Sequence, residues 1–98
     1  MSGYHRSSMN DINVVVVGYG NATRFYHAPL SASTPGLRLH GIATNSPQKQ
    51  AEIEDSYGCL AYTGLDAALS DSAVDLIILS TPNATHADMA IAALDAGK

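Results

Sequence analysis

The chain has 98 residues, 46% of them hydrophobic and 14% charged, with a net charge of −4 and a mean hydropathy of +0.02. That composition suits one small soluble domain, holds no apolar run near the ~20 residues that span a bilayer, and argues against nucleic acid as a partner. The single cysteine, Cys59, excludes an internal disulfide and a cysteine-built metal cluster.

Residues 1–11 read as a disordered tail with no apolar core behind their basic residues, hence no secretory signal, and the cytoplasm is the expected compartment. The domain proper is expected over residues 12–98. Ile12–Val17, "INVVVV", is a β-branched run ending at a glycine cluster, the pattern of a strand buried on both faces. Ala22 to about Ser33 places Phe25, Tyr26, Pro29 and Leu30 at helical spacing, with Pro29 expected to kink or shorten the helix. Leu37–Ala43 alternates as a second strand. Ser46 then caps a helix that has Pro47 in its first turn, runs to about Tyr57 and stops at Gly58.

Cys59–Tyr62 reads as a short third strand that buries Cys59, and Thr63 with Asp66 opens a brief helix through Leu69. Val74–Leu79, "VDLIIL", is the fourth strand. Thr85-His86-Ala87-Asp88 has the form of a capping box with Asp for the usual Glu. The last helix is expected to bury Ala87, Ala90, Ile91 and Leu94, with Gly97 as its cap. Strands alternating with helices imply an α/β fold: a Rossmann-type parallel sheet of strand order 3-2-1-4, helices on both faces and right-handed crossovers.

Gly18-x-Gly20 lies between the first strand and the first helix. Gly18 permits the tight turn, and Gly20 lets backbone approach a pyrophosphate seated on the free N–H groups of the helix start. The candidate turn is Gly18, Tyr19, Gly20, Asn21, Ala22 and Thr23. The third glycine of such fingerprints would fall at Thr23, which either pushes the helix outward or places its hydroxyl on a phosphate. At the end of the second strand, where an acid would bind a ribose 2′-hydroxyl, stand Thr44, Asn45, Ser46 and Lys49.

No acid occurs from Ile12 to Ala51, whereas Arg24, Arg38 and Lys49 do. Neutral groups with a nearby cation suit a 2′-phosphate, so NADP is preferred over NAD; Ser46 also reads as a cap and Lys49 as a solvated side chain, and the two readings are compatible. His40 has no partner visible in the sequence, and His27 and Tyr26 suit helix packing. The sequons at Asn21 and Asn83 fall in the proposed turns and are expected to be unmodified.

Two segments, "VVVVGYGNATRFYHAPL" and "DLIILSTPNATHADMAIAALDAGK", together resemble the N-terminal domain of the glucose–fructose oxidoreductase/inositol dehydrogenase/rhizopine catabolism (Gfo/Idh/MocA) oxidoreductases. The second carries that family's T-P-N-x-x-H turn, alanine-rich helix and A-G-K. The resemblance covers residues 12–98. It implies that Thr81, Pro82 and Asn83 line a dinucleotide near its nicotinamide end, with His86 close by. By position alone, His86 reads equally as the first helical residue.

In the family a strand and a Glu-Lys-Pro motif with an acid/base lysine follow the A-G-K, so these residues are expected to bind cofactor without being active alone. No catalytic residue and no metal ligand is assigned. The resemblance implies hydride transfer between a nicotinamide and a sugar- or cyclitol-type alcohol in the full-length family. A stand-alone, non-catalytic nucleotide-binding module is the alternative. A flavin or S-adenosylmethionine site would call for an acid at the end of the second strand. The edge of residues 74–79 is an expected site of self-association.

Overall fold

The computed structural model describes residues 11–20, 22–80 and 86–98, apart from the side chains of Phe25 and Tyr26. β1 (Ile12–Val17) carries the central run of valines, and their alternation divides the molecule. Val14 and Val16 point into one core with Tyr19, Ala28, Ile42 and Ile53, whereas Val15 and Val17 point into another with Ala43, Ala68 and Val74. An uninterrupted apolar strand is what burial on both faces requires.

β1 pairs in parallel with β2 (Leu37–Ala43) and with β4 (Leu76–Leu79), and β2 pairs in parallel with β3 (Leu60–Tyr62). The order is β3-β2-β1-β4, the Rossmann-type order expected. Val14 lies opposite Leu39 and Val15 opposite Gly41, so His40 is the extra residue of a bulge. Among the described residues no helix is long and apolar enough to cross a membrane.

Two strands are shorter than expected. Asp75 precedes β4 because its carboxylate accepts the Asn13 N–H at 2.9 Å, taking the place of a ladder carbonyl. Cys59 lies outside β3 as a half-buried free thiol, and burial raises its pKa.

The first helix is not a regular α-helix. It opens as a π-helical segment, Thr23–His27, and continues as α1 (Ala28–Ser33), with the Ala28 N–H donating to the Thr23 carbonyl. Thr23 and Ala28, five residues apart, therefore share the buried face, and Ser31 follows them. Of the expected apolar positions, Pro29 is exposed and Leu30 is 60% exposed, and the side chains of Phe25 and Tyr26 lie outside the described residues. Pro29 sits in the first turn of α1, directly after the π-helical segment.

α2 (Pro47–Tyr57) has the expected ends, with Ser46 Oγ accepting the Lys49 N–H at 3.4 Å and Gly58 left-handed at φ 64°. α3 (Leu65–Leu69) begins after Gly64 with no side-chain cap, so Thr63 does not open it. α4 (His86–Asp95) buries Ala93 and half-buries His86, Met89 and Ala90, while Ile91 is 57% and Leu94 73% exposed. The expected face is thus rotated. A helix apolar on most sides gives its periodicity little to select between, and the packing against β4 decides.

The C-terminal end of α4 is fully accounted for. Lys98 N–H donates to the Ala93 carbonyl and Gly97 N–H to the Leu94 carbonyl, with Gly97 at φ 80°, which is a Schellman motif. Lys98 Nζ then donates to the carbonyls of Val74 (2.7 Å) and Asp71 (3.1 Å), tying the helix end to the loop that leads into β4.

Candidate functional site

Beyond the carboxyl ends of β1 and β2 lies a cavity of about 320 Å³, lined by Val17, Gly18, Ala43, Thr44, Asn45, Gly64, Leu65 and Met89. Backbone hydrogen bonds carry the sheet up to its rim. Gly18 N–H donates to Ala43, Thr44 N–H to Tyr62 and Ser80 N–H to Val17, at 2.8–3.0 Å. Gly18, at φ 104°, adopts a conformation that only glycine takes without strain. The crevice of a parallel sheet opens here because the loops that leave its strands diverge to opposite faces.

Gly20 is exposed, and a side-chain carbon added there would meet none of the described residues within 4 Å. Its backbone stands open to solvent. Among the described residues no side chain caps the helix that follows at Ala22. The start of α2, in contrast, is already occupied by Ser46.

The remaining expected residues divide by position. Thr44 and Asn45 line the cavity, with Thr44 Oγ1 3.4 Å from the Ser46 N–H. Ser46 is engaged as the cap, and Lys49 is exposed in the first turn of α2. Asn21, Thr81, Pro82 and Asn83 lie outside the described residues. His86 opens α4, three residues before the cavity-lining Met89. Its Nε2 is buried and has no hydrogen-bond partner among the described residues.

Two side chains of the candidate turn are engaged within the protein. Tyr19 does not face the crevice: it is 7% exposed and packs in the core of α1 and α2, so only its backbone is available to a ligand. Thr23 is fully buried, and its hydroxyl donates to the Gly18 carbonyl at 2.6 Å, so that proton is not offered to a phosphate.

The charge asymmetry is also dispersed in space. Arg24 pairs with Glu52 at 3.7 Å on a half-exposed surface, and Arg38 sits at the opposite end of β2 from the crevice. Lys49 is the cation left beside the β2 end among the described residues. Gly64, Leu65 and Met89 were not named from the sequence. Gly64 and Leu65 could have been, since the residue after each parallel strand borders the crevice, but Met89 depends on how α4 packs.

His40, without a visible partner in the sequence, has one in the fold. Its Nε2 lies 3.3 Å from Asp71 Oδ2, the oxygen that also accepts the Tyr62 hydroxyl, and Ala73 N–H donates to Oδ1 at 2.9 Å. The Tyr62 hydroxyl first, then the Ala73 N–H and His40, hold the Asp71 carboxyl below its ordinary value of 3.8. The cluster joins β2 and β3 to the loop before β4, and the Tyr62 carbonyl in turn accepts the N–H of the cavity-lining Thr44.

Comparison with known proteins agrees with this geometry. The sequence model of the Gfo/Idh/MocA group, described as an oxidoreductase family with an NAD-binding Rossmann fold, matches residues 12–98. The chain is 38% identical over 90 residues to the uncharacterized oxidoreductase YdgJ of Escherichia coli (strain K12), covering 91% of this chain and 25% of that protein. It is 29% identical over 91 residues to an inositol 2-dehydrogenase of Mycolicibacterium gilvum, covering 92% of this chain and 26% of that one. An NAD-binding protein from Listeria innocua superposes with a TM-score of 0.80 at 35% identity, over 90% of this chain and 26% of its own. The chain thus spans about a quarter of the length of these relatives.

Proposed function

The chain belongs to the Gfo/Idh/MocA oxidoreductase family as its NAD-binding Rossmann portion, and we propose that its crevice holds NADP in preference to NAD. The observation that carries this reading is the end of β2. Thr44 and Asn45 line the cavity there, no carboxylate follows them before Glu52, and Lys49 is exposed one turn on. A carboxylate at this position would accept hydrogen bonds from a ribose 2′-hydroxyl and repel a 2′-phosphate. The exposed backbone at Gly20 and the buried His86 Nε2, which has no hydrogen-bond partner among the described residues, both fit a bound dinucleotide.

The nicotinamide would supply the hydride acceptor or donor. These residues supply the binding: Gly18 and Gly20 the close approach, the helix start the charge complement, Thr44, Asn45 and Lys49 the ribose end, and His86 with Thr81, Pro82 and Asn83 the far lip. Inositol 2-dehydrogenase among the relatives supports a sugar- or cyclitol-type alcohol as the partner in hydride exchange. Such a reaction needs a positioned proton acceptor. We assign none among these 98 residues and expect no turnover from them alone.

Calorimetric titration of the purified chain tests the cofactor reading. NADP is expected to bind more tightly than NAD at low salt, with the gap narrowing as salt rises. Thr44→Asp should reverse the order, because Asp can still accept the Ser46 N–H while adding charge. Tighter binding of NAD by the wild-type chain would refute the preference.

A further inference from the structure

We propose that Tyr19 and Thr23 are positioning residues that lock the Gly18–Gly20 turn in one shape. The benefit of the lock for dinucleotide binding rests on the reading above. A turn with two glycines in three residues is the segment that loses most conformational freedom on ordering. Here it is tied on every side. Gly18 N–H is held by the Ala43 carbonyl at 2.8 Å, and the Gly18 carbonyl accepts the Thr23 hydroxyl at 2.6 Å. The Gly20 carbonyl accepts the Arg24 N–H at 3.0 Å.

Between the two glycines, Tyr19 turns inward. Its hydroxyl donates to Glu52 Oε2 of α2 at 2.6 Å, and its ring meets Tyr57 edge-on, 6.1 Å between centroids. The Arg24 guanidinium lies 5.6 Å from the centre of that ring and 3.7 Å from the same Glu52 oxygen. Burial and the Glu52 carboxylate both push the phenol pKa upward, so the hydroxyl keeps its proton at any working pH.

A glycine at position 23 packs a helix closely on its strand but can form no such bond to Gly18. Thr23 occupies that space, fully buried, and the helix widens into its π turn from this residue onward. The chain thus gives up close helix–strand packing at this point and gains a side-chain tie on the turn. A ligand that meets a turn already ordered does not bear the ordering entropy itself.

The test uses variants that differ by little more than one hydroxyl: Tyr19→Phe and Thr23→Val. Thr23→Ser and Glu52→Gln are the conservative controls, since each keeps a donor or acceptor in place. Amide hydrogen exchange of the ligand-free chain and calorimetric titration with NADP are measured for all. Tyr19→Phe and Thr23→Val should exchange faster at residues 18–20 while the β1 amides keep their protection, and should bind NADP roughly tenfold more weakly. The two controls should stay within about twofold of wild type.

Should Thr23→Val fail to fold, Tyr19→Phe decides alone. Unchanged exchange in the turn overturns the lock, as does acceleration spread equally over β1. Unchanged NADP affinity with faster turn exchange overturns its role in binding. A wild-type chain that binds neither NADP nor NAD counts against the cofactor reading instead, and the exchange rates then decide the lock on their own.

Discussion

Gly41 is expected to tolerate no side chain, although its backbone dihedrals are ordinary. A Cβ built there would stand 2.5 Å from Tyr62 Cε2 and 2.9 Å from both Tyr62 Cδ2 and the Leu60 carbonyl oxygen. The ring could swing away only by breaking the bond from its hydroxyl to Asp71, and the carbonyl belongs to the strand paired with Gly41 itself. Overpacking of this kind costs about 1–3 kcal/mol. Replacing glycine also removes freedom from the unfolded chain, which offsets about 0.4–1 kcal/mol.

Gly41→Ala should therefore be less stable by about 1–2 kcal/mol, or roughly 4–16 °C in Tm for a domain of this size. Thermal unfolding followed by circular dichroism measures it. The same substitution made on Tyr62→Phe should cost less, because the ring is then untethered. Since Thr44 N–H donates to the Tyr62 carbonyl at 3.0 Å, the variant should also bind NADP more weakly. A variant that melts at or above the wild-type temperature would mean that the entropy gain won and that Tyr62 moves freely, and the packing argument would fail.

Gly20→Val should leave Tm within a few degrees, since no described residue stands within 4 Å of the added carbon, yet abolish NADP binding by blocking the approach of the pyrophosphate; equal affinity in calorimetry would remove the glycine turn from the site. The lowered pKa of Asp71 stabilises the fold above the ordinary value of 3.8, and that contribution is lost as pH falls through the folded value. Asp71→Asn should accordingly flatten the acid limb of a Tm-against-pH curve, and an unchanged limb would show that Asp71 is not what titrates there. β4 pairs with β1 alone among the described strands, and beside it lies a cavity of about 200 Å³ lined by Ile77, Leu79, Ala90, Ala93, Lys98 and the 73%-exposed Leu94. Self-association of the 98-residue chain through this edge is expected, weakened by Leu94→Lys, and light scattering that finds a wild-type monomer at high concentration would refute it.

The order of the sheet, the ends of α2 and the place of the glycine turn were legible in the sequence because each depends on neighbours along the chain. Valines at successive positions announce a strand buried on both faces. Ser46-Pro47 and Gly58 bracket a helix through their own backbone preferences, and Gly18 is needed where φ is positive. The inward turn of Tyr19, the internal hydrogen bond of Thr23, the pairing of Arg24 with Glu52 and of His40 with Asp71, and the face that α4 buries were not legible. Apart from Thr23, whose partner Gly18 stands five residues back, the deciding partner comes from another element, set by how helices register on the sheet rather than by local spacing. Periodicity says which side chains an element can bury. Only the packed structure says which polar groups meet there, because a hydrogen bond is made or lost over distances shorter than one residue's rise along a strand.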